Sequence, residues 1–289
     1  MARHIRIPLL ADLILTDDVE EIRQLADHSA LDRDFDLGGP VANRVLSRRV
    51  KTALSLDGAA LPSAMMRGDA KRAAFSKDLS EIFVPGNWDS DTMAEIVAYV
   101  RGGQTGSAGE LAQQITGRVF DPGYTATDET WEAALAIEVH LRSSNPIQRL
   151  VRFFAGSLRK AQQTLGRASN DNLGAVHGTG IAVHNLALSI DRLRDDWADG
   201  SLKTRLNPQQ AALRAIAAPR TVMRVAKRHC DSIGGHLRPG TLVAMNTRAA
   251  ASAGMNPEPA FLSASWSHCP AEKWVLALLV EIWRQAGDE

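Results

Sequence analysis

The sequence predicts a mainly α-helical protein with a small β element late in the chain. Two observations carry that prediction. Helix caps and apolar residues at a spacing of about 3.6 recur from Asp17 to Pro219, and after Pro219 the texture turns to short β-branched runs split by glycine and proline.

Taken in order, Asp17 with Glu20 offers a capping box for a helix through Asp27. Residues 91–101 carry Met93, Ile96, Val97 and Val100 on one helical face before Gly102-Gly103 stops them. Ser107 with Glu110 repeats the capping device ahead of Leu111, Ile115 and Val119. Pro146, behind Asn145, opens another helix that ends near Gly166. The longest helix runs from Asn170 to Trp197; at about 1.5 Å per residue it crosses a whole domain as a central beam. Asn207-Pro208 starts a short helix that Pro219 ends. Thr221–Val225 and Thr241–Met245 follow as strands, separated by Gly234-Gly235 and by the Pro239-Gly240 turn. Residues 246–268, rich in Ala, Ser and Asn, read as irregular chain, and from Pro270 onward Trp274, Leu278, Leu279, Ile282 and Trp283 make an apolar terminal helix. No internal repeat or low-complexity linker divides residues 1–289, so the expectation is one domain.

With 289 residues, 45% hydrophobic and 23% charged, the chain can bury a full core. Lys plus Arg and Asp plus Glu stand at 33 each, so no global field draws it to nucleic acid or an anionic membrane. Two cysteines, Cys230 and Cys269, cannot build a disulfide framework, which fits a reducing cytoplasm. The amino terminus lacks the apolar run of an export signal, and no later window reaches about 18 apolar residues, so no membrane span is expected.

The segment Trp266-Ser-His-Cys-Pro-Ala-Glu-Lys-Trp274 sets Cys269 directly before a predicted helix start, where unpaired N–H groups acidify a thiol. Cys269 is therefore placed as a thiolate ligand or a nucleophile, against the plainer reading of a small buried hydrophobe. His229, Cys230, His236, His268 and Cys269 match no closed zinc spacing, and nothing nominates a partner for a cysteine hydrolase beyond the adjacent His268, which points elsewhere.

The order of the late parts carries a family resemblance. A long helix, a short helix with an arginine, an arginine strand, a Gly-Gly turn, a Pro-Gly-Thr strand, a meander, a cysteine and an apolar helix follow one another over residues 170–289. This half resembles a cytochrome P450, while residues 1–169 match only loosely. The most specific match is Ile233-Gly-Gly-His-Leu-Arg-Pro-Gly-Thr-Leu-Val243, which is similar to the family's hairpin. Ala211-Ala-Leu-Arg214 stands at the family's E-x-x-R and keeps only the arginine, and Arg224-Val-Ala226 resembles its R-x-A strand. In Leu173-Gly-Ala-Val-His-Gly-Thr179, Thr179 retains the alcohol of A-G-x-[D/E]-T-T, and His177 stands where the acid belongs. Ahead of Cys269, Leu262, Ser263, Ser265 and Ser267 occupy the positions of the family's aromatic residue, two glycines and basic residue. Met66–Phe75 resembles the helix that supplies a second propionate partner, with no basic residue singled out.

The resemblance implies a shortened P450-like architecture and haem b, with iron bound by Cys269, a propionate paired with Arg224, and His268 as a neighbouring cofactor contact. It implies a haem-thiolate oxidoreductase acting on a small or medium apolar substrate. Three reactions are open to it: monooxygenation with oxygen, supplied with electrons by a ferredoxin or flavoprotein reductase; peroxide-driven oxygenation; or hydroperoxide isomerisation or dehydration, the last two with no reductase. His177 and Thr179 would be the catalytic proton groups, His177 as donor to a peroxide; the plainer reading of His177 is a satisfied helix histidine, and His184, further along the same helix, is compatible with either. The alternative is a non-catalytic protein of the same fold that binds haem or an apolar ligand.

Overall fold

A computed structural model describes residues 2–103, 106–142, 156–232 and 235–288. The helix expected from Pro146, and Ile233-Gly234 of the Gly-Gly turn, lie outside the described residues. The chain forms two compact units, Met1–Ala74 with Ala218–Cys269, and Phe75–Ala217 with Pro270–Glu289. Each unit is assembled from two separated stretches of the chain.

The first unit holds the β structure. Strands β1 (Arg3–Ile7), β2 (Ala11–Thr16), β3 (Leu31–Asp32), β4 (Ser55–Leu56), β5 (Ala59–Ala60), β6 (Val222–Ala226), β7 (Cys230–Ser232), β8 (Gly235–Leu237) and β9 (Leu242–Met245) occur in that order. Five of them form a sheet, β1-β2-β9-β6-β3, in which only the β2/β9 pair is parallel. The late strands fall within a residue or two of the sequence expectation. The β element is not confined to the late chain, however, because β1, β2 and β3 come from the first 32 residues. Arg3-His-Ile-Arg-Ile7 mixes charges and β-branched residues on an edge strand that is almost wholly exposed, so no buried face marked it.

Side chains alternate across the sheet. Ile14, Val243, Met245 and Ala226 enter a core with Ile22, Leu25, Leu31 and Leu262, while Val225 and Leu242 turn to the opposite face with Phe35. Helix Val19–Asp27 covers the first face, and its cap is Asp18, which accepts from the Glu21 amide at 2.9 Å, one position later than the Asp17–Glu20 box. Glu21 is occupied elsewhere, by the Thr16 hydroxyl and the Ala2 amide. Residues 246–268 are less irregular than expected: helices Thr247–Gly254 and Glu258–Phe261 lie within them, the first capped by Asn246.

A buried polar knot ties the Pro239-Gly240-Thr241 turn to the amino-terminal strands. Asp12 accepts from the Thr241 hydroxyl at 2.9 Å and from His4 at 2.6 Å, and Asn43 donates to the carbonyls of Asp12 and Gly240 at 2.7 and 2.8 Å. Burial alone would raise the Asp12 pKa, but the hydrogen bonds from His4 and Thr241 hold it below the ordinary value.

The second unit is helical. The beam Leu173–Ala198 is 26 residues long and, though long and apolar enough to cross a membrane, is 61% buried over its apolar window. It packs on helices Ala108–Phe120 and Ser90–Val100. Both capping boxes of this unit form, Ser107 with Glu110 and Asn207 with Gln210. Helix Ser90–Val100 ends before Gly102, which adopts φ 93°, as a glycine stop requires. The terminal helix spans Glu272–Gly287, with Trp274 buried against Phe83 and its indole N–H donating to the Asn87 carbonyl at 2.8 Å.

Candidate functional site

Arg224 lies on β6 with Val222 and Ala226 either side of it on the core face, and that parity buries it to 1% exposure. Its guanidinium donates to the Met223 carbonyl at 2.9 Å and to the Ser267 hydroxyl, and its Nε has no partner. Ser267 is held by its own loop: its amide donates to Ser265 Oγ at 3.2 Å, and the His268 amide to the Ser265 carbonyl at 3.0 Å.

The Trp266 indole, one residue earlier, gathers four guanidinium groups. Those of Arg72, Arg33, Arg67 and Arg224 stand 4.5, 5.1, 5.2 and 5.3 Å from its ring centre. Carboxylates do not match this charge. Asp32 is engaged by Lys227 at 3.0 Å and by the amides of Arg33 and Arg67, and Asp27 by the Arg67 side chain. Among the described residues no carboxylate forms an ion pair with Arg33, Arg72 or Arg224. Burial, and then the charge of Arg72, pushes Arg224 down to about 9; burial, and then Arg224, pushes Arg33 well below the usual guanidinium range. The Nε atoms of Arg33 and Arg67 and the indole N–H of Trp266 are likewise buried without a hydrogen bond.

Cys269 belongs to the same unit and is half-buried, with its amide donating to the Phe261 carbonyl at 2.9 Å. One expectation is corrected here. The terminal helix begins at Glu272 and not at Pro270, so Cys269 stands three residues ahead of it along the chain and not at its cap. Pro270 and Ala271 form a turn ahead of it. His268 is exposed.

His177 and Thr179 belong to the second unit. The beam changes its winding there: Gly178–Ala182 is a π-helical segment between Leu173–His177 and Val183–Ala198. Thr179 is fully buried, its hydroxyl donating to the Ala175 carbonyl at 2.7 Å and its carbonyl accepting from Gln113 at 2.9 Å. The small residues of this stretch also serve packing, since a Cβ at Gly180 would come within 2.6 Å of Leu165 and one at Gly174 within 2.9 Å of Phe75. His177 is half-buried beside them.

His184, left open by the sequence, is engaged in packing. It bonds the Ala134 carbonyl at 3.1 Å and packs on Trp131 with ring centres 5.2 Å apart. Burial pushes its imidazole down to about 4, the bond to Ala134 working the other way. Unfolded, an imidazole takes its proton near pH 6.5, whereas the folded group does so only near 4. Stability from this residue is therefore complete above that upper value and is lost on acidification towards the lower one, by up to about 3 kcal/mol. Melting temperature against pH, in the parent and in His184→Gln, checks this. A glutamine amide does not titrate, so the variant's curve should be flatter across the window, and parallel curves would refute the assignment.

No family model and no curated protein matches the sequence. Solved structures do match. A six-coordinated cytochrome P450 from Thermus thermophilus has a TM-score of 0.60 at 16% identity, covering 96% of this chain and 84% of its own. A Mycobacterium marinum cytochrome P450 in complex with pseudoionone has a TM-score of 0.60 at 15% identity, covering 97% and 81%. P450BioI, in complex with acyl carrier protein ligated to hexadec-9Z-enoic acid, has a TM-score of 0.59 at 13% identity, covering 99% and 88%. This is the cytochrome P450 fold.

The chain carries a shortened and divergent form of the P450 fold, and its departures are local. At the E-x-x-R position Ala211 is fully buried, and Arg214 pairs with both oxygens of Asp196, at 3.0 and 2.8 Å, on the beam. In the loop before Cys269, Ser263 and Ser265 stand where the P450 pattern has glycines and Ser267 where it has a basic residue. Ser267 and its neighbour Trp266 both face guanidinium groups. Arg72 falls in the Met66–Phe75 segment that resembles the family's propionate helix, so a signal for it existed in the sequence. Arg33 and Asp32 had none, because only strand pairing brings them to Arg224.

Proposed function

We propose that this chain is a haem-thiolate oxidoreductase acting on a small or medium apolar substrate, with haem b held by Cys269 and Arg224. The observation that carries the reading is the unmatched cationic cluster in the same unit as a half-buried cysteine. Three guanidiniums without a carboxylate, with orphaned Nε atoms on Arg33 and Arg224, fit a dianionic group, and one sulfur outside any disulfide fits its metal. Haem, with two propionates and an iron, has that donor demand. The apolar substrate class is supported by two of the matched P450 structures, which hold pseudoionone and a hexadecenoic acyl chain.

Bound through a thiolate, haem supplies the cleavage of O–O bonds. Arg224 would anchor a propionate, and Ser267, by accepting one of its N–H groups, fixes the guanidinium's orientation. His268 is a contact at the exposed rim of the cysteine loop. On the beam, Thr179 already donates its hydroxyl hydrogen to the Ala175 carbonyl, so it can accept a hydrogen bond but must break that one to give a proton. The proton-giving role falls to His177, since an imidazole both gives and takes a proton near neutrality. With oxygen as oxidant a ferredoxin or flavoprotein reductase is the electron-donating partner; with a peroxide none is needed.

An absorbance scan of the purified protein loaded with hemin tests the reading. A Soret band, and a reduced carbon monoxide complex absorbing at the thiolate-type wavelength, is the expected result; a protein that takes up no hemin overturns it. Turnover with hydrogen peroxide or a fatty-acid hydroperoxide, without an electron donor, then tests the proton role. His177→Ala should lose at least about tenfold of that activity, and unchanged turnover removes His177 from the mechanism.

A further inference from the structure

We infer that Arg33 is a second propionate-binding cation of this chain, standing in for the basic residue that the loop before Cys269 lacks at Ser267. The inference rests on the haem reading above. It begins in the sheet register. β3 pairs antiparallel with β6, Leu31 opposite Ala226 and Asp32 opposite Val225, and Arg33 follows directly after β3, its guanidinium 5.1 Å and that of Arg224 5.3 Å from the same Trp266 ring centre. Like charges gathered at one ring repel, and burial deepens the repulsion. Both side chains are nevertheless buried, at 8% and 1% exposure, and neither has a carboxylate partner among the described residues.

The polar atoms around Arg33 leave part of its donor set open. One terminal nitrogen donates to the Pro62 carbonyl at 3.1 Å, and its Nε is orphaned, like that of Arg224. Asp32 does not neutralise it, because that carboxylate receives Lys227 and two backbone amides. Two guanidiniums at one indole ring, each with an unused Nε–H, suit two carboxylates better than one. Ser267, where a basic side chain would have supplied the second positive charge, instead accepts from Arg224.

The test compares hemin with hemin dimethyl ester, whose propionates carry no charge, in titrations of the full chain followed at the Soret band. Arg33→Gln should weaken hemin binding by about tenfold or more and leave the ester's affinity unchanged. Arg33→Lys, which keeps the charge but not the fork, should recover part of the loss. In the hemin-free protein the same Arg33→Gln change should raise the melting temperature, since it removes one of the cations crowded at Trp266; a purely structural role for Arg33 would lower it. Hemin affinity of Arg33→Gln within about twofold of the parent, or an equal loss for the ester, overturns the assignment while the haem reading stands. If the parent binds neither compound, the haem reading falls and this inference with it.

Discussion

Replacing Cys269 by alanine is expected to abolish the thiolate-type spectrum of the hemin-loaded protein while leaving its fold in place. The side chain is small, half-buried and outside any disulfide, and the bond that fixes the loop, from the Cys269 amide to the Phe261 carbonyl, belongs to the backbone and survives the change. The stability cost should therefore stay near about 1 kcal/mol. The spectral effect is all or none, because a thiolate is the ligand that distinguishes this class and alanine offers the iron nothing. Far-UV circular dichroism and the reduced carbon monoxide spectrum, measured on the same preparation, separate the two effects. A Cys269→Ala protein that keeps the parent's thiolate-type band places the iron on another residue.

The largest effect on stability is expected at Gly240. This residue holds φ 85° in the Pro-Gly-Thr turn, and a Cβ there would lie 2.1 Å from the carbonyl oxygen of Gly38, a backbone atom that cannot rotate away. Reciprocally, a Cβ at Gly39 would meet the Gly240 carbonyl at 2.8 Å. Two stretches of backbone cross here with no room for a side chain. Alanine would lose about 1–2 kcal/mol to the left-handed conformation alone. Forcing the strands apart also strains the buried bonds of Asn43 and Thr241, each worth about 1–3 kcal/mol when a partner is lost. Gly240→Ala should therefore cost at least about 3 kcal/mol in urea unfolding. Gly58→Ala is the control. Gly58 has the same φ of 85° but open space around it, so it should lose only the conformational part. Equal losses at the two positions would show that the close approach contributes nothing. The turn feeds β9, and β9 pairs with β6 at Val243 and Arg224, so the same knot that stabilises the unit also sets the height of the Arg224 guanidinium.

The local signals were legible where the chain's own neighbours complete them. Ser107 with Glu110 closes within one turn, so its capping box is legible from spacing and it forms; Asn207-Pro208 is legible as a helix start, and the structure adds the box with Gln210. The beam was legible because apolar residues repeat along it for 26 positions, and its boundary moved only from Asn170 to Leu173, where Asn172 caps it. The Asp17–Glu20 box does not form: Asp18 caps the helix one position later, and Glu21, which could have closed a box with it, is engaged by Thr16 and Ala2. The start of the terminal helix failed because proline suits a first turn and a preceding turn equally well, and sequence alone does not rank them.

By itself, then, the sequence determined the helical class, the late strands, the arginine on β6 and the cysteine in its loop, because each rests on periodicity or on chemistry within a few residues. Tertiary structure alone decided the amino-terminal strands, the Asp196–Arg214 pair and the gathering of Arg33, Arg67 and Arg72 with Arg224 around Trp266. Those depend on strand pairing and burial between residues as far apart as Arg33 and Arg224, and a charge in a linear sequence carries no mark of the partner it will lack once it is buried.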